Sequence, residues 1–274
     1  MPLGELCAVD REELDLHNLG ALDVFLRDQR PQVIFNASAY TAVDHAESEQ
    51  ELAFQINELA PRLMAETARS LRAAFIHIST DYVFDGELGR PYLESDATHP
   101  LNTYGRSKLA GEQAVQKTGG AYFIFRTAWV YSLRGDSFVT KVLAWARKNT
   151  ELRIVDDQIS NPTWARSLAE TLAILLERSR DGIYEFVEQN AGLYHLAGRG
   201  VASRFEWAQQ ILASDPKRGE QLIHTLLPAS TAEFPTPARR PLLSALDCTF
   251  FETKFGISLA DWRQSLKLAL NETL

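Results

Sequence analysis

Gln32-Val33-Ile34-Phe35-Asn36-Ala37 and Ala74-Phe75-Ile76-His77-Ile78-Ser79-Thr80 decide the fold of this chain. Each is a short apolar run that ends in small or hydroxyl-bearing residues. A strand covered by helices on both faces reads as such a continuous run, where a half-solvated strand would alternate. Between the two, Ser48 to Arg72 reads as one long helix. Working outward, Asn102 to Lys117 reads as a helix, Ala121 to Arg126 as a strand and Ser137 to Lys148 as a helix. Upstream, Asn18 to Arg30 is helical and is closed by Pro31. Leu6-Cys7-Ala8-Val9 reads as a buried strand ending at Asp10, after a helix exit at Pro2-Leu3-Gly4-Glu5 in which Gly4 is a left-handed cap. Strands alternating with helices of about ten residues or more predict an α/β fold, a Rossmann-type doubly wound parallel sheet.

Beyond about Thr150 the rhythm loosens. Leu152 to Val155 and Leu193 to Leu196 read as short strands, and Trp164–Arg178, Arg204–Ala213 and Leu259–Leu270 as helices. Prolines 228, 235, 237 and 241 mark an irregular stretch. The expected organisation is a dinucleotide-binding domain over 1–150 and a smaller α/β substrate domain over 151–274, partly interleaved with the first.

Composition narrows the function classes. The chain has 274 residues, a formal net charge of -8 and two cysteines. An acidic chain is a poor partner for nucleic acid or an anionic membrane surface, although it can still bind phosphates locally. No stretch approaches the ~18 apolar residues of a membrane span. Two cysteines, Cys7 and Cys248, do not make a disulfide scaffold, and a cytoplasmic location follows as the expectation.

The strongest chemical signal is Tyr104-Gly105-Arg106-Ser107-Lys108. Residues four apart share a helix face, so phenol and ammonium point the same way. Reduction of a carbonyl needs a proton donor at oxygen while hydride reaches carbon. A free tyrosine, pKa about 10, is a weak donor at neutral pH, and moving it by about 3 units takes about 4 kcal/mol. One cation at about 4 Å in a partly desolvated site supplies energy of that order. The sequence therefore predicts that Lys108 lowers the pKa of Tyr104. Thr80 ends the preceding strand, at the carboxyl edge where open α/β sheets bind ligands, and is placed to hydrogen-bond the carbonyl oxygen. Asn36-Ala37-Ser38-Ala39-Tyr40-Thr41 ends the strand before that, with side chains small enough for a flat dinucleotide or, equally, for close helix packing. Asp10 suits the adenosine ribose hydroxyls of NADH, while Arg11 beside it suits the extra phosphate of NADPH, so the choice between them stays open.

Three motifs together resemble the dTDP-4-dehydrorhamnose reductases of the extended short-chain dehydrogenase/reductase superfamily. They are Ser79-Thr80-Asp81-Tyr82-Val83-Phe84, Tyr104 to Glu112, and Arg126-Thr127-Ala128-Trp129-Val130-Tyr131. Asp157-Gln158 with Asn161-Pro162-Thr163, Gly192 to Leu196, and Pro235 to Pro241 continue the likeness through the chain in the same order. The resemblance implies reduction of the C4 ketone of dTDP-4-dehydro-L-rhamnose with NADPH or NADH, in the biosynthesis of cell-surface polysaccharide. It implies Tyr104 as proton donor, Lys108 at the nicotinamide ribose and Thr80 at the oxygen. Asp10, Ala37, Ser38, Ala39 and Thr41 fall at cofactor-contacting positions. Thr80, Asp81, Trp129 and Arg239 fall on the substrate side, with Arg239 and Arg240 toward its diphosphate. The implied partner is a nucleotide sugar and no metal is implied; the sequence leaves the oligomeric state open, a homodimer being one option.

One element of the pattern is not in the sequence: no Gly-x-x-Gly-x-x-Gly turn precedes Leu6, although such a turn holds the pyrophosphate in dinucleotide folds. Its strand is central in the sheet, and unpaired buried amides beside it are costly. The expectation is an N-terminally truncated chain; the alternatives are lost cofactor binding and a strand supplied by another chain. Two rival functions are a non-catalytic relative like the regulatory subunit of methionine adenosyltransferase, which Leu246-Asp247-Cys248-Thr249 also resembles, and an epimerase or dehydratase. Dehydratases tend to carry an acidic pair after the threonine, and Asp81-Tyr82 is not one.

Overall fold

The computed structural model describes residues 4–272. The first half runs α1 (Leu19–Gln29), β1 (Val33–Asn36), α2 (Val43–Ala46), α3 (Gln50–Phe54), α4 (Ala60–Leu71), β2 (Ala74–Thr80), α5 (Thr103–Thr118) and β3 (Tyr122–Thr127). Then come β4 (Val130–Tyr131), α6 (Phe138–Ala146), β5 (Glu151–Val155), β6 (Ile159–Ser160), β7 (Thr163–Trp164), α7 (Ala165–Glu177), α8 (Ile183–Gln189) and β8 (Gly192–His195). The chain closes with β9 (Ala202–Ser203), α9 (Arg204–Ser214), β10 (Thr225–Ala229), α10 (Thr249–Phe255) and α11 (Trp262–Asn271).

The main sheet is parallel, in the order β1-β2-β3-β8. Its strands alternate between two buried faces. Phe75 and Ile124 turn toward α1, α4 and α5, where they meet Leu22, Leu26, Met64, Ala68 and Val115. Ile76, Phe123 and Phe125 turn the other way, onto Leu168, Leu172, Val187 and Phe251 of α7, α8 and α10. Both faces are covered, which is why these strands carry no polar alternation. A separate core gathers Trp207, Trp262, Tyr131 and Ile154 among α6, α9, α11 and β5. Because β8 joins the main sheet, the second half of the chain returns to the first.

The helix ends follow local rules. The Asn18 side chain accepts from the Ala21 N–H at the start of α1, and Arg30 ends it in the left-handed region at φ 43°. Asn102 caps α5 by accepting from Gly105 N. The long helix expected over Ser48–Arg72 is interrupted: a π-helical turn, Gln55–Leu59, joins α3 to α4. Such turns are rare and concentrate at functional sites.

Three expectations are corrected. Leu6 to Val9 form no strand; Leu6 is 86% and Val9 39% exposed, and the segment has no ladder partner. β1 lies at the sheet edge instead, with no strand on its outer side among the described residues, and Phe35 of that strand is 48% exposed. Gly4 adopts φ 155°, which is not the left-handed helical cap; Pro2 and Leu3 lie outside the described residues. Finally, Pro228 sits inside a regular strand, since β10 pairs in parallel with β5 at the sheet edge, where a missing N–H is tolerated. Among the described residues no helix is long and apolar enough to cross a membrane.

Candidate active site

The carboxyl ends of β1, β2 and β3 gather the polar side chains. Thr80 and Thr127 are register partners there, and the α5 N-terminus brings Tyr104 over Thr80. The Tyr104 phenol lies close enough to the Thr80 hydroxyl to feel it. That hydroxyl also accepts from Tyr82 N at 3.1 Å and lies 3.2 Å from Asp81 Oδ1. Gly105 permits this approach: a Cβ at that position would fall 2.2 Å from the Tyr82 carbonyl oxygen.

Lys108 lies one turn along α5 and is fully buried. Its Nζ donates to the Ile78 carbonyl at 2.6 Å and lies 3.4 Å from His77 Nε2. Burial pulls its pKa down to about 8, against a smaller upward pull from Glu112. The effect expected on Tyr104 is reversed. Burial pushes the phenol above its ordinary range, and the neighbouring Thr80 hydroxyl only partly offsets it. The ammonium is directed at a main-chain carbonyl, so desolvation of the ring outweighs any lysine field.

Ala37 to Thr41 form a partly exposed shelf beside this pair. Asn36 Oδ1 accepts from Ser38 N at 3.0 Å, which shapes the turn out of β1. Asn57, in the π turn, accepts from Tyr40 N at 2.8 Å and donates to the Tyr40 carbonyl at 3.1 Å and Ser107 Oγ at 2.9 Å. One buried amide thus fastens the shelf to α5, and nothing in the sequence marked it. Small exposed side chains beside a buried amine that keeps donor capacity suit the ribose end of a nicotinamide dinucleotide. Asp10 is not brought to this place by any described contact: its Oδ1 accepts from Glu12 N at 2.8 Å and Glu13 N at 3.2 Å in an exposed turn.

On the opposite side, Asp81 is buried and its carboxylate accepts from Ser160 Oγ at 3.1 Å and Ser244 Oγ at 2.5 Å. Burial raises it to about 6 despite these bonds. The carboxylate is thus turned into the protein, fastening β2 to the second half of the chain. Trp129 is held at φ 41°, unusual for a large side chain, and such strain collects at functional sites. Arg239 is exposed, and its carbonyl accepts from Asn102 Nδ2 at 2.7 Å. Arg240 instead points inward, pairing with Asp44 at 2.7 Å and donating to Thr236 Oγ1 at 2.6 Å. Arg204, an ordinary first-turn helix residue by sequence, lies beside the Tyr82 phenol and over the Trp129 ring at 3.7 Å. A cleft of about 560 Å³ lies next to it, walled by Phe138, Trp145, Leu152, Ile154 and Phe234.

A doubly wound sheet with a tyrosine, a buried lysine and a threonine at its carboxyl edge defines a short-chain-type, nicotinamide-dependent carbonyl reductase. The comparisons with known proteins narrow the class. Residues 3–274 match the family described as the RmlD substrate binding domain. The dTDP-4-dehydrorhamnose reductase of Burkholderia thailandensis is 39% identical over 99% of this chain and 92% of its own length. That of Escherichia coli K12 is 40% identical over 99% of this chain and 91% of its own. The crystal structure of the Bacillus anthracis enzyme, in complex with NADP, superposes with a TM-score of 0.86 at 32% identity, over 96% of this chain and 89% of that one. The chain belongs to the dTDP-4-dehydrorhamnose reductase family.

Proposed function

We propose that this chain reduces the C4 ketone of dTDP-4-dehydro-L-rhamnose to the alcohol of dTDP-L-rhamnose, in a nucleotide-sugar pathway of the cytoplasm. The observation that carries this reading is the meeting of Tyr104, Thr80 and Lys108 at the end of β2. NADPH or NADH supplies the hydride when bound. Tyr104 gives its phenolic proton to the carbonyl oxygen, and its raised pKa keeps that proton in place at neutral pH. Thr80 holds the same oxygen and fixes the angle between ketone and phenol. Lys108 keeps Tyr104 in place through Ile78 and offers its remaining N–H groups to ribose hydroxyls on the Ala37–Thr41 shelf. Residues up to about 150 form the cofactor lobe in this reading and the remainder the substrate lobe, with β8 returned to the cofactor lobe's sheet. The free thiols Cys7 and Cys248 suit a reducing compartment.

The test is turnover of purified chain with dTDP-4-dehydro-L-rhamnose and each reduced dinucleotide, followed by loss of reduced-nicotinamide absorbance and by the sugar product. A folded sample that binds NADPH yet reduces no dTDP-linked ketone would discard the assignment.

A further inference from the structure

Arg204 opens α9, and its guanidinium carbon lies 3.7 Å from the Trp129 ring centroid, 4.9 Å from Phe138 and 5.5 Å from Trp207. The same side chain neighbours the Tyr82 phenol, whose ring packs edge-on against Tyr104 with centroids 5.6 Å apart. It also lines the 560 Å³ cleft beside Phe138, Trp145 and Phe234. One cation therefore spans the distance between an apolar cleft and the proton donor.

Its partners leave its charge unmatched. Arg240, the other guanidinium near Tyr82, is neutralised by Asp44 at 2.7 Å. Among the described residues no carboxylate forms an ion pair with Arg204; its direct contacts are aromatic faces, with the buried Asp81 acting on it only from a distance. Burial pulls it down to about 10, the direction expected of a cation taken from water without a counter-ion. Cation–π contact offsets part of such a cost, less than a charge-matched partner supplies. A guanidinium presents paired donors that fit two phosphate oxygens, and it stays charged where a lysine would lose its proton. The strained backbone of Trp129 holds the indole against this guanidinium.

A nucleotide-linked sugar has a flat base, a dianionic diphosphate and a sugar, in that order. With the ketone at Tyr104 and the base in the cleft, the diphosphate falls at Arg204. We propose that Arg204 binds the diphosphate of the substrate and so selects nucleotide-linked over free sugars. This rests on the reading that a nucleotide-sugar ketone reacts at Tyr104.

The experiment is calorimetric titration of the full chain with dTDP and, separately, with thymidine, which has the base but no phosphate. Wild type, Arg204→Gln and Arg204→Lys are compared, with NADPH binding and thermal unfolding as controls of the fold. In Arg204→Gln the dTDP affinity is expected to fall roughly 10- to 100-fold, the scale of charge-assisted hydrogen bonds, with thymidine affinity unchanged. Arg204→Lys is expected to retain part of the dTDP preference, and its smaller but selective loss of dTDP affinity serves as the test if Arg204→Gln does not fold. Equal dTDP affinity in wild type and variants overturns the proposal and leaves the reductase reading standing. Equal losses for dTDP and thymidine also overturn it, since they mark a packing role. A wild type that binds NADPH but no dTDP removes the nucleotide-sugar reading, and this proposal with it.

Discussion

Lys108 Nζ donates a 2.6 Å hydrogen bond to the carbonyl of Ile78, two residues before Thr80 on the same strand. This bond sets the height of α5 against β2. Tyr104 lies one helical turn before Lys108, so the same contact carries the phenol to the Thr80 hydroxyl. His77 supports the arrangement from behind, with Nδ1 3.2 Å from Asn36 Nδ2 and Nε2 3.4 Å from the amine. Burial holds His77 well below the ordinary histidine range, so it stays neutral. Two adjacent strands and one helix thus meet on one buried amine.

If Tyr104 is the proton donor, Tyr104→Phe is expected to lower kcat about 10²- to 10⁴-fold, the usual worth of general acid catalysis. The ring volume is retained, so the thermal midpoint and NADPH affinity are expected to stay close to wild type. Thr80→Ala is expected to have a smaller effect on kcat, because the phenol remains. Steady-state kinetics with melting curves on both variants check this. Full activity in Tyr104→Phe would mean that another group protonates the oxygen.

Lys108 also makes the fold's stability depend on pH. Folded Lys108 releases its proton near pH 8, against an ordinary value of 10.5. Below pH 8 both folded and unfolded chains hold the proton, and the cost of the buried charge is fully present. Between about pH 8 and 10.5 the unfolded chain holds more protons, so this contribution to stability rises with pH. The shift corresponds to something on the order of 3 kcal/mol. Relative to Lys108→Met, the wild type is expected to gain stability as pH rises through this window. Urea unfolding of both proteins from pH 7 to pH 10 measures the difference, and a flat difference contradicts the buried charge.

The ladder of β1, β2, β3 and their helices was legible because a doubly covered parallel strand leaves an apolar run of its own length, and because Asn18, Asn102 and Ser137 are ordinary N-caps. The pair Tyr104 and Lys108 was legible because four-residue spacing is a local property of a helix. What escaped was long-range. Asn57 and Arg204 carry no local signal, since their roles depend on segments 17 residues away for Tyr40 and in the other half of the chain for Tyr82. Asp81 stood in a recognisable motif, yet only the packing of Ser160 and Ser244 shows where its carboxylate turns. Two-residue strands such as β4 and β9 are too short to have a period at all.

Glu112, one turn beyond Lys108, forms a buried bidentate pair with Arg126 at 2.9 and 2.7 Å and accepts from Ser79 Oγ at 2.5 Å. It is 1% exposed, and Arg126 is 4% exposed. Removing one partner strands the other charge in the interior, which costs about 3–5 kcal/mol. Glu112→Ala is therefore expected to lose a large share of a stability on the order of 5–15 kcal/mol, and Glu112→Gln, which keeps the volume and one acceptor, somewhat less. Chemical denaturation of the two variants gives the comparison. A loss under about 1 kcal/mol in Glu112→Ala would mean that the pair is hydrated.

At Gly111 the backbone of α5 lies directly against the π turn. A Cβ there would fall 2.0 Å from the Asn57 carbonyl oxygen and 3.2 Å from its carbon. In an exposed helix, Gly→Ala gains about 1 kcal/mol from propensity. Here the methyl group would push against backbone that cannot rotate away, and overpacking of this kind costs about 1–3 kcal/mol or more. The clash is expected to win, lowering the thermal midpoint of Gly111→Ala by several degrees. Because Asn57 also fastens Tyr40 and Ser107, displacing it should loosen the Ala37–Thr41 shelf and weaken NADPH binding along with the fold. Gly135→Ala serves as the control, since a Cβ at Gly135 meets nothing within 4 Å. Melting curves with and without NADPH separate the two effects. If Gly111→Ala is as stable as Gly135→Ala, α5 and the π turn do not approach as closely as described, and the route from Asn57 to the shelf has to be redrawn.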